Sequence, residues 1–223
     1  MLNRLPEKNW SLTNAAHLLN RAGFGGTPAD YKKFHALGFE RAVDALFKGD
    51  LPFKAKLPPP TRPAWFDGEL DKKAEAARKE LLALRKKRPK ANDPTGKKLA
   101  DEQRALRRVI RAADQQQGAD LNRWWFQTLC TTGNPLKEKV TLFWHGHFAT
   151  SFEKVRAPQL LLQQNQLFRK LGTGDARELT RRMARDPAMM LYLDISNTRA
   201  EKPNENYGRE LLELFTLGEG HYT

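Results

Sequence analysis

Apolar residues recur along this chain at helical spacing, and polar capping residues stand in front of the apolar runs. Three cap–proline pairs mark helix starts, because proline is tolerated in the first turn of a helix. They are Thr27-Pro28, Asn134-Pro135 and Asp186-Pro187. No segment shows the sustained period-two alternation of a strand. The pattern therefore predicts an all-α fold, an irregular multi-helix bundle. The predicted helices cover residues 15–21, 28–37, 39–47, 70–88, 97–117, 157–171, 175–185, 187–193 and 204–217, with one more beginning at Pro135.

Two of these helices, 70–88 and 97–117, are rich in Ala, Glu, Lys and Arg but poor in leucine. Residues 89–96 between them contain two prolines and a glycine, which predicts a turn. We therefore expect a basic helical hairpin over residues 66–117, inserted into the helical domain. Its few leucines support only a narrow apolar seam, so the hairpin should project from the body or lie across it. A proline-rich stretch, residues 49–63, predicts an extended connector in front of it.

The net charge of +13 raises the question of nucleic-acid binding. Residues 69–111 hold 15 Lys and Arg against 7 Asp and Glu, so most of the excess lies on the hairpin. No aromatic residue occurs between Leu70 and Leu121 to stack on single-stranded bases. Binding through the hairpin would then be non-specific and salt-sensitive. A solvated charged surface is the interpretation we favour, and nucleic acid stays an unfavoured alternative.

Other features limit the classes of protein considered. No apolar run approaches the roughly 18 residues of a membrane span. Residues 1–8 lack the apolar core of a signal peptide, which at face value predicts a cytoplasmic chain.

Cys130 is the single cysteine, so an internal disulfide is impossible, and its apolar neighbours predict a buried thiol. His17, among alanines and leucines, is likewise expected in the core.

Three blocks of sequence together resemble one bacterial family. The blocks are residues 15–25 (AAHLLNRAGFG), 142–151 (LFWHGHFATS) and 185–218, which runs from RDPAMMLYLD to NENYGRELLELFTLG. In order and spacing they are similar to the family known as domain of unknown function 1800. The resemblance covers nearly all of residues 1–223 outside the basic hairpin, which has the character of a variable insertion.

The resemblance implies a genomic context for this chain, but it does not imply a reaction. Members of the family are typically longer, are often exported, and are often encoded beside a sulfatase-like protein. It therefore implies that this chain is the N-terminal portion of the family domain. From it we expect an accessory or scaffold protein that acts with a sulfatase-like partner, of unknown location.

His145 and His147 form an H-x-H pair inside the second block. On a strand both imidazoles would share one face and could hold a divalent metal ion. On the helix predicted from Pro135 the same spacing separates them by about 200°. That separation favours one histidine in the core and one at the surface or in a cleft, unless Gly146 breaks the helix.

The helix predicted over 204–217 has one apolar and one polar half. The polar half carries Glu205, Asn206, Arg209, Glu210 and Glu213, with Glu205, Arg209 and Glu213 at ion-pair spacing. A solvated face is the simple interpretation.

The alternative hypothesis sets this stripe against residues 144–147, so that both line one cleft. Glu205 or Glu210 would there act as a base or a metal ligand, and Arg209 would bind an anion. This defines a second candidate function, a metal-assisted or acid–base enzyme, hydrolase-like. Its candidate catalytic residues are His145, His147, Glu205, Asn206, Arg209 and Glu210, and its candidate metal ligands are His145, His147 and Glu210.

Overall fold

The chain folds into helices packed around two apolar clusters. The computed structural model describes residues 6–53, 68–86, 95–195, 198, 199, 201 and 205–221. Residues 54–63 of the proline-rich connector, 89–94 of the hairpin turn and Asn204 lie outside this part. No strand occurs in the ranges described, which confirms the all-α prediction.

Eleven α-helices follow one another in the described ranges. They are α1 (Leu12–Ala22), α2 (Pro28–His35), α3 (Phe39–Lys48), α4 (Glu69–Lys86), α5 (Thr95–Thr131), α6 (Pro135–Phe148), α7 (Phe152–Val155), α8 (Pro158–Leu171), α9 (Ala176–Met183), α10 (Pro187–Tyr192) and α11 (Asn206–Glu210). A π-helical turn, Leu211–Thr216, continues α11. No helix among these is both long and apolar enough to cross a bilayer.

The cap–proline pairs begin helices as predicted. The Thr27 hydroxyl accepts from the Asp30 backbone N–H, and the Asp30 carboxylate accepts from the Thr27 N–H, which makes a full capping box. Asn134 and Asp186 cap α6 and α10 with single side-chain hydrogen bonds. Each bond satisfies a backbone donor that the first turn leaves free.

The first cluster joins α1, α2 and α3. Ala15 and Leu19 of α1 are fully buried against Phe34 of α2 and Leu46 of α3. The second cluster joins α6, α8, α9, α10 and the π-helical turn. Its buried members are Phe148, Phe168, Leu179, Met183, Met189, Leu193 and Phe215. Met189 is fully buried there and fills the core as a flexible apolar side chain.

Helix α6 lies between the two clusters. Its N-terminus meets the end of α3, where Gly49 adopts φ +69° directly against the Asn134 side chain. A Cβ at Gly49 would lie 2.7 Å from Asn134, so this close approach requires glycine. Further along, α6 contacts α1, α3, α5, α8 and the π-helical turn. The two candidate histidines, His145 and His147, therefore sit on the central helix of the bundle.

The hairpin is present, but its second helix does not end near residue 117. Helix α5 runs without a break from Thr95 to Thr131, through Gly118 and into the aromatic stretch beyond it. The prediction was wrong because Gly118 is required by packing and does not mark a helix end. A Cβ there would lie 2.7 Å from the Phe152 ring. The hairpin thus shares a helix with the body.

Two predictions of burial were wrong. His17 and Cys130 are both exposed. His17 lies about 200° around α1 from Ala15, and Cys130 lies about 200° around α5 from the buried Thr128. Angular position on the helix decides burial, and apolar neighbours in sequence do not.

Candidate functional site

One face of α6 carries polar side chains into the bundle. Glu138, Thr141 and His145 follow the i, i+3, i+7 spacing of a single helical stripe. Glu138 and Thr141 are buried, and His145 is half-buried at the end of the stripe. The Thr141 hydroxyl donates to the carbonyl of Lys137, one turn earlier. The stripe therefore brings a carboxylate and an imidazole to the contact between α6 and its neighbours.

Glu138 meets Arg169 of α8 in a buried ion pair. Arg169 Nη1 lies 2.6 Å from Glu138 Oε1, and the two side chains are only 14% and 4% exposed. Arg169 Nε donates to Asn165 Oδ1 at 2.7 Å, and its guanidinium lies 5.2 Å from the centroid of the Trp124 ring. One amide side chain and one aromatic side chain thus hold the guanidinium in place against the carboxylate.

Burial disfavours the charged form of both Glu138 and Arg169. Burial raises the pKa of Glu138, while Arg169 and the Trp125 indole act to lower it. Burial also lowers the pKa of Arg169, and Glu138 counteracts this effect. The Trp125 indole acts on Glu138 as a weak hydrogen-bond donor that lowers its pKa, although the contact falls short of full hydrogen-bond geometry. Charges removed from water in this way are costly unless every polar atom is satisfied.

Not every polar atom here is satisfied. In the part of the chain described, five buried side-chain nitrogen or oxygen atoms lack a hydrogen-bond partner in the protein. All five belong to residues of this one neighbourhood, which we call the unpartnered cluster. They are Trp124 Nε1, Trp125 Nε1, Glu138 Oε2, Asn165 Nδ2 and Arg169 Nη2. Buried polar atoms without partners are rare, so their concentration at one place requires an explanation.

A pocket of about 430 Å³ opens beside the unpartnered cluster. Trp125 and Asn165 belong to both the cluster and the pocket wall. The remaining lining is apolar or uncharged. It consists of Leu121, Asn122, His145, Gly146, Ala149, Thr150, Ser151, Phe152 and Leu161. No side chain of the lining carries a carboxylate, ammonium or guanidinium group.

His145 is the titratable side chain of this pocket. Its ring contacts Trp125 edge to face, with 5.0 Å between the centroids. Burial is the one cause that shifts its pKa, which is lowered from 6.5. The imidazole is therefore held in its neutral form at neutral pH, when it can accept a proton.

His147 lies on the other side of α6. Its Nε2 donates to the backbone carbonyl of Phe215 at 3.0 Å, so this nitrogen carries a proton. Its ring stacks on Phe143 and lines a second pocket, of about 690 Å³. Helix α6 continues through Gly146, and the predicted separation of the two histidines holds.

The final helix and the histidine segment do pack together, through apolar side chains and the hydrogen bond of His147 to the Phe215 carbonyl. Phe215 contacts the rings of His147 and Phe148, while Tyr207 and Leu211 pack on the same core. The cleft hypothesis placed the polar side chains of the last helix in one pocket with residues 144–147, and the structure does not show this arrangement. None of Glu205, Asn206, Arg209 and Glu210 lines the pocket of His145 or that of His147.

The polar stripe is arranged differently from its predicted ion-pair ladder. Arg209 Nη2 lies 3.0 Å from Asn206 Oδ1 and 3.4 Å from Glu210 Oε1, and forms no ion pair with Glu205 or Glu213. The π-helical turn begins at Leu211 and changes the angular step per residue. The i, i+4 relation between Arg209 and Glu213 therefore fails.

The candidate metal ligands are not gathered either. His145 and His147 face different pockets, and Glu210 lines neither. Among the residues with described positions, no group of three or more His, Cys, Asp or Glu side chains could hold a metal ion.

Sequence reasoning found His145 but missed the residues behind it. Glu138, Trp125, Asn165 and Arg169 were not selected as candidates. Two signals were available, the i, i+7 spacing of Glu138 with His145 and the i, i+4 spacing of Asn165 with Arg169. What joins these pairs is the packing of α6 on α8, which spacing within one helix does not reveal.

Comparison with known proteins agrees with the three sequence blocks. Residues 17–223 match the family described as "Protein of unknown function (DUF1800)". No curated protein and no solved structure matches the chain. The match extends over most of the chain and includes both histidines, the unpartnered cluster and the last helix. This chain is a member of the DUF1800 family.

Proposed function

We propose that this protein binds a small, uncharged, polar molecule in the His145 pocket, where His145 accepts a proton or a hydrogen bond from it. The observation that carries the proposal is the unpartnered cluster. Its two residues in the pocket wall, Trp125 and Asn165, each hold an N–H donor that has no partner in the protein and is closed off from solvent, so a movement of the side chain would have to turn the donor into the pocket. A ligand that supplies acceptor oxygens would satisfy them.

The lining restricts the class of ligand. A charged molecule would leave water for a pocket wall that offers no opposite charge, which is unfavourable. Amide and hydroxyl side chains, here Asn122, Thr150 and Ser151, suit hydroxyl and carbonyl groups. Trp125 and Phe152 offer apolar surface to the rest of the molecule. Small hydroxyl-bearing or amide-bearing molecules combine these properties.

The lowered pKa of His145 supports an acid–base role. A general base must be unprotonated at the working pH and must lie in the pocket with its substrate. His145 meets both conditions, with Glu138 two stripe positions behind it on α6. In an enzyme of this kind His145 would take the proton from a ligand hydroxyl or from water, and return it later.

Ligand-observed NMR tests the proposal with defined probes. Glucose, N-acetylglucosamine and acetamide serve as neutral probes, and glucuronate and glucosamine as charged counterparts. We expect at least one neutral probe to bind, and the charged analogue of a bound sugar to bind more weakly. His145→Ala removes the acceptor. Gly146→Val directs a side chain into space with no atom within 4 Å of its Cβ, beside the pocket. Both variants should abolish the signal.

His17→Ala is the matched control, because His17 is an exposed histidine outside the pocket lining. It should bind like the unaltered protein. The proposal fails if no neutral probe binds, or if binding survives in both His145→Ala and Gly146→Val.

Two sequence-based hypotheses stay predictions. An accessory role beside a sulfatase-like protein follows from the resemblance, and co-purification of the two proteins is its direct test. Non-specific nucleic-acid binding would require the cations of α4 and α5. Loss of binding at moderate salt, and on replacement of exposed lysines and arginines of α4 and α5 by glutamine, would be its signature.

A further inference from the structure

An open groove lies on the other side of α6 from the His145 pocket, between α6 and α1. Its apolar lining comes from Leu136, Val140, Leu142 and Phe143. Phe143 is 59% exposed and Leu142 39% exposed, although both are large apolar side chains. Exposed apolar groups gathered along one groove are typical of binding surfaces.

The charge of this groove has a single sign. Arg21 of α1 and Lys139 of α6 are the two side chains with permanent charge in its lining, and no carboxylate lines it. Neither cation forms an ion pair with a described residue. Lys139 Nζ instead lies over the Phe24 ring, 5.1 Å from its centroid. Two cations without carboxylate partners therefore flank an apolar surface.

We propose that the groove between α1 and α6 binds an acidic amphipathic helix of a partner protein. Phe143 and Leu142 would contact the apolar face of that helix, and Arg21 and Lys139 its carboxylates. An exposed aromatic side chain is the type of residue that anchors helix-in-groove interfaces. Complementary charge at the rim supplies orientation and selection against basic helices.

This inference does not rest on the function proposed for His145. The two surfaces lie on opposite sides of α6, with His145 in one and His147 in the other. Gly146 contributes to both, so variants at Gly146 are avoided in its test.

Two synthetic peptides of about 18 residues, five helical turns, provide the experiment. Both carry Leu and Phe on one face, and the opposite face carries Glu in one peptide and Lys in the other. By fluorescence anisotropy the Glu peptide should bind, and the Lys peptide should bind at least about tenfold more weakly. Phe143→Ser should weaken the Glu peptide by about tenfold or more. The double variant Arg21→Glu/Lys139→Glu should reverse the preference.

Phe126→Ser is the matched control. Phe126 is 67% exposed and lies outside the groove lining, so its replacement should leave peptide binding unchanged. Circular dichroism of each variant verifies the fold.

Several outcomes would overturn the proposal. Equal binding of both peptides, no binding of either, or equal losses for Phe126→Ser and Phe143→Ser would each do so. Self-association that Phe143→Ser abolishes would assign the groove to a second copy of the chain. Binding of laurate in place of the Glu peptide would assign it to small amphiphilic anions.

Discussion

Two buried polar networks touch helix α5, and they differ in one respect. At the hairpin base, Asp71 Oδ1 accepts from the side-chain amides of Gln117 and Gln159, and Gln159 also donates to Gln117 Oε1. Asp114 pairs with Arg78 one turn away. No buried side-chain atom of this first network lacks a partner. The second network, the unpartnered cluster, contains all five such atoms found in the described ranges.

Under the proposed function, the first network has a structural role and the second serves ligand binding. The first network fixes the hairpin on the body, because Asp71 of α4, Gln117 of α5 and Gln159 of α8 bond one another. The second includes a buried ion pair and leaves donors free beside a pocket. Buried polar groups in native proteins usually have hydrogen-bond partners, and the proposed ligand would account for the position of these exceptions.

The largest effect should follow from breaking the ion pair of the unpartnered cluster. Arg169→Met leaves the Glu138 carboxylate buried and uncompensated, which should cost about 3–5 kcal/mol of unfolding free energy in chemical denaturation. Glu138→Met/Arg169→Met removes both charges and should recover most of that loss.

The control for this prediction is Arg182→Met. Arg182 pairs with Glu178 at 2.7 Å, but its side chain is 63% exposed. That loss should stay below about 1 kcal/mol. A loss of the same small size for Arg169→Met would mean that the buried pair contributes no more than a surface one.

A smaller loss of stability is expected from a change in the first network, whose buried side-chain atoms all have partners. Gln117→Met keeps the approximate shape of a fully buried side chain but removes its hydrogen bonds to Asp71 and Gln159. We expect a loss of about 1–3 kcal/mol, with ligand binding in the His145 pocket unchanged. Loss of probe binding in a folded Gln117→Met protein would remove the distinction between the two networks.

Two glycine substitutions compare the packing around Gly118 with the packing around Gly146. Gly118→Ala places a Cβ 2.7 Å from the Phe152 ring and should destabilise by about 1–2 kcal/mol after the helix-propensity gain of alanine is included. Gly146→Ala meets no atom within 4 Å and should stabilise by up to about 1 kcal/mol. Thermal unfolding measures both, and destabilisation of equal size would contradict this account of Gly118.

The smallest effect concerns the pH dependence of stability. Burial lowers the pKa of His145 below 6.5, so the unfolded chain binds this proton more tightly than the folded one. His145 therefore contributes a loss of stability as the pH falls below 6.5 and down through the lowered pKa. His145→Gln should show a smaller loss between about pH 7.5 and about pH 5, measured by thermal unfolding. The matched control His17→Gln should keep the loss of the unaltered protein.

The helices could be predicted because their start signals are local. Thr27, Asn134 and Asp186 cap helices through bonds to residues three positions away, so the sequence contains both partners. The end of α5 could not be predicted in the same way. Whether Gly118 ends a helix depends on Phe152, which lies 34 positions later in the chain and meets Gly118 only after folding.

The candidate site divides along the same line. The angular separation of His145 and His147 follows from helix geometry and was correctly anticipated. The ion pair of Glu138 with Arg169 joins α6 to α8 across 31 positions, and no periodicity within one helix indicates it. The polar stripe of the last helix looked amphipathic in sequence, but the apolar half packs against α6 and the π-helical turn displaces Glu213.

The N–H signal of the Trp125 indole gives the most direct test of whether a ligand satisfies the unpartnered cluster. Two other indoles serve as internal references, because Trp10 Nε1 donates to the His35 carbonyl and Trp144 Nε1 to the Gly172 carbonyl. In ¹⁵N-correlated spectra, titration with the neutral probe that binds most tightly should shift the Trp125 N–H signal downfield as it gains an acceptor. The Trp10 and Trp144 signals should stay in place. An unmoved Trp125 signal at saturating probe would contradict a ligand role for the cluster.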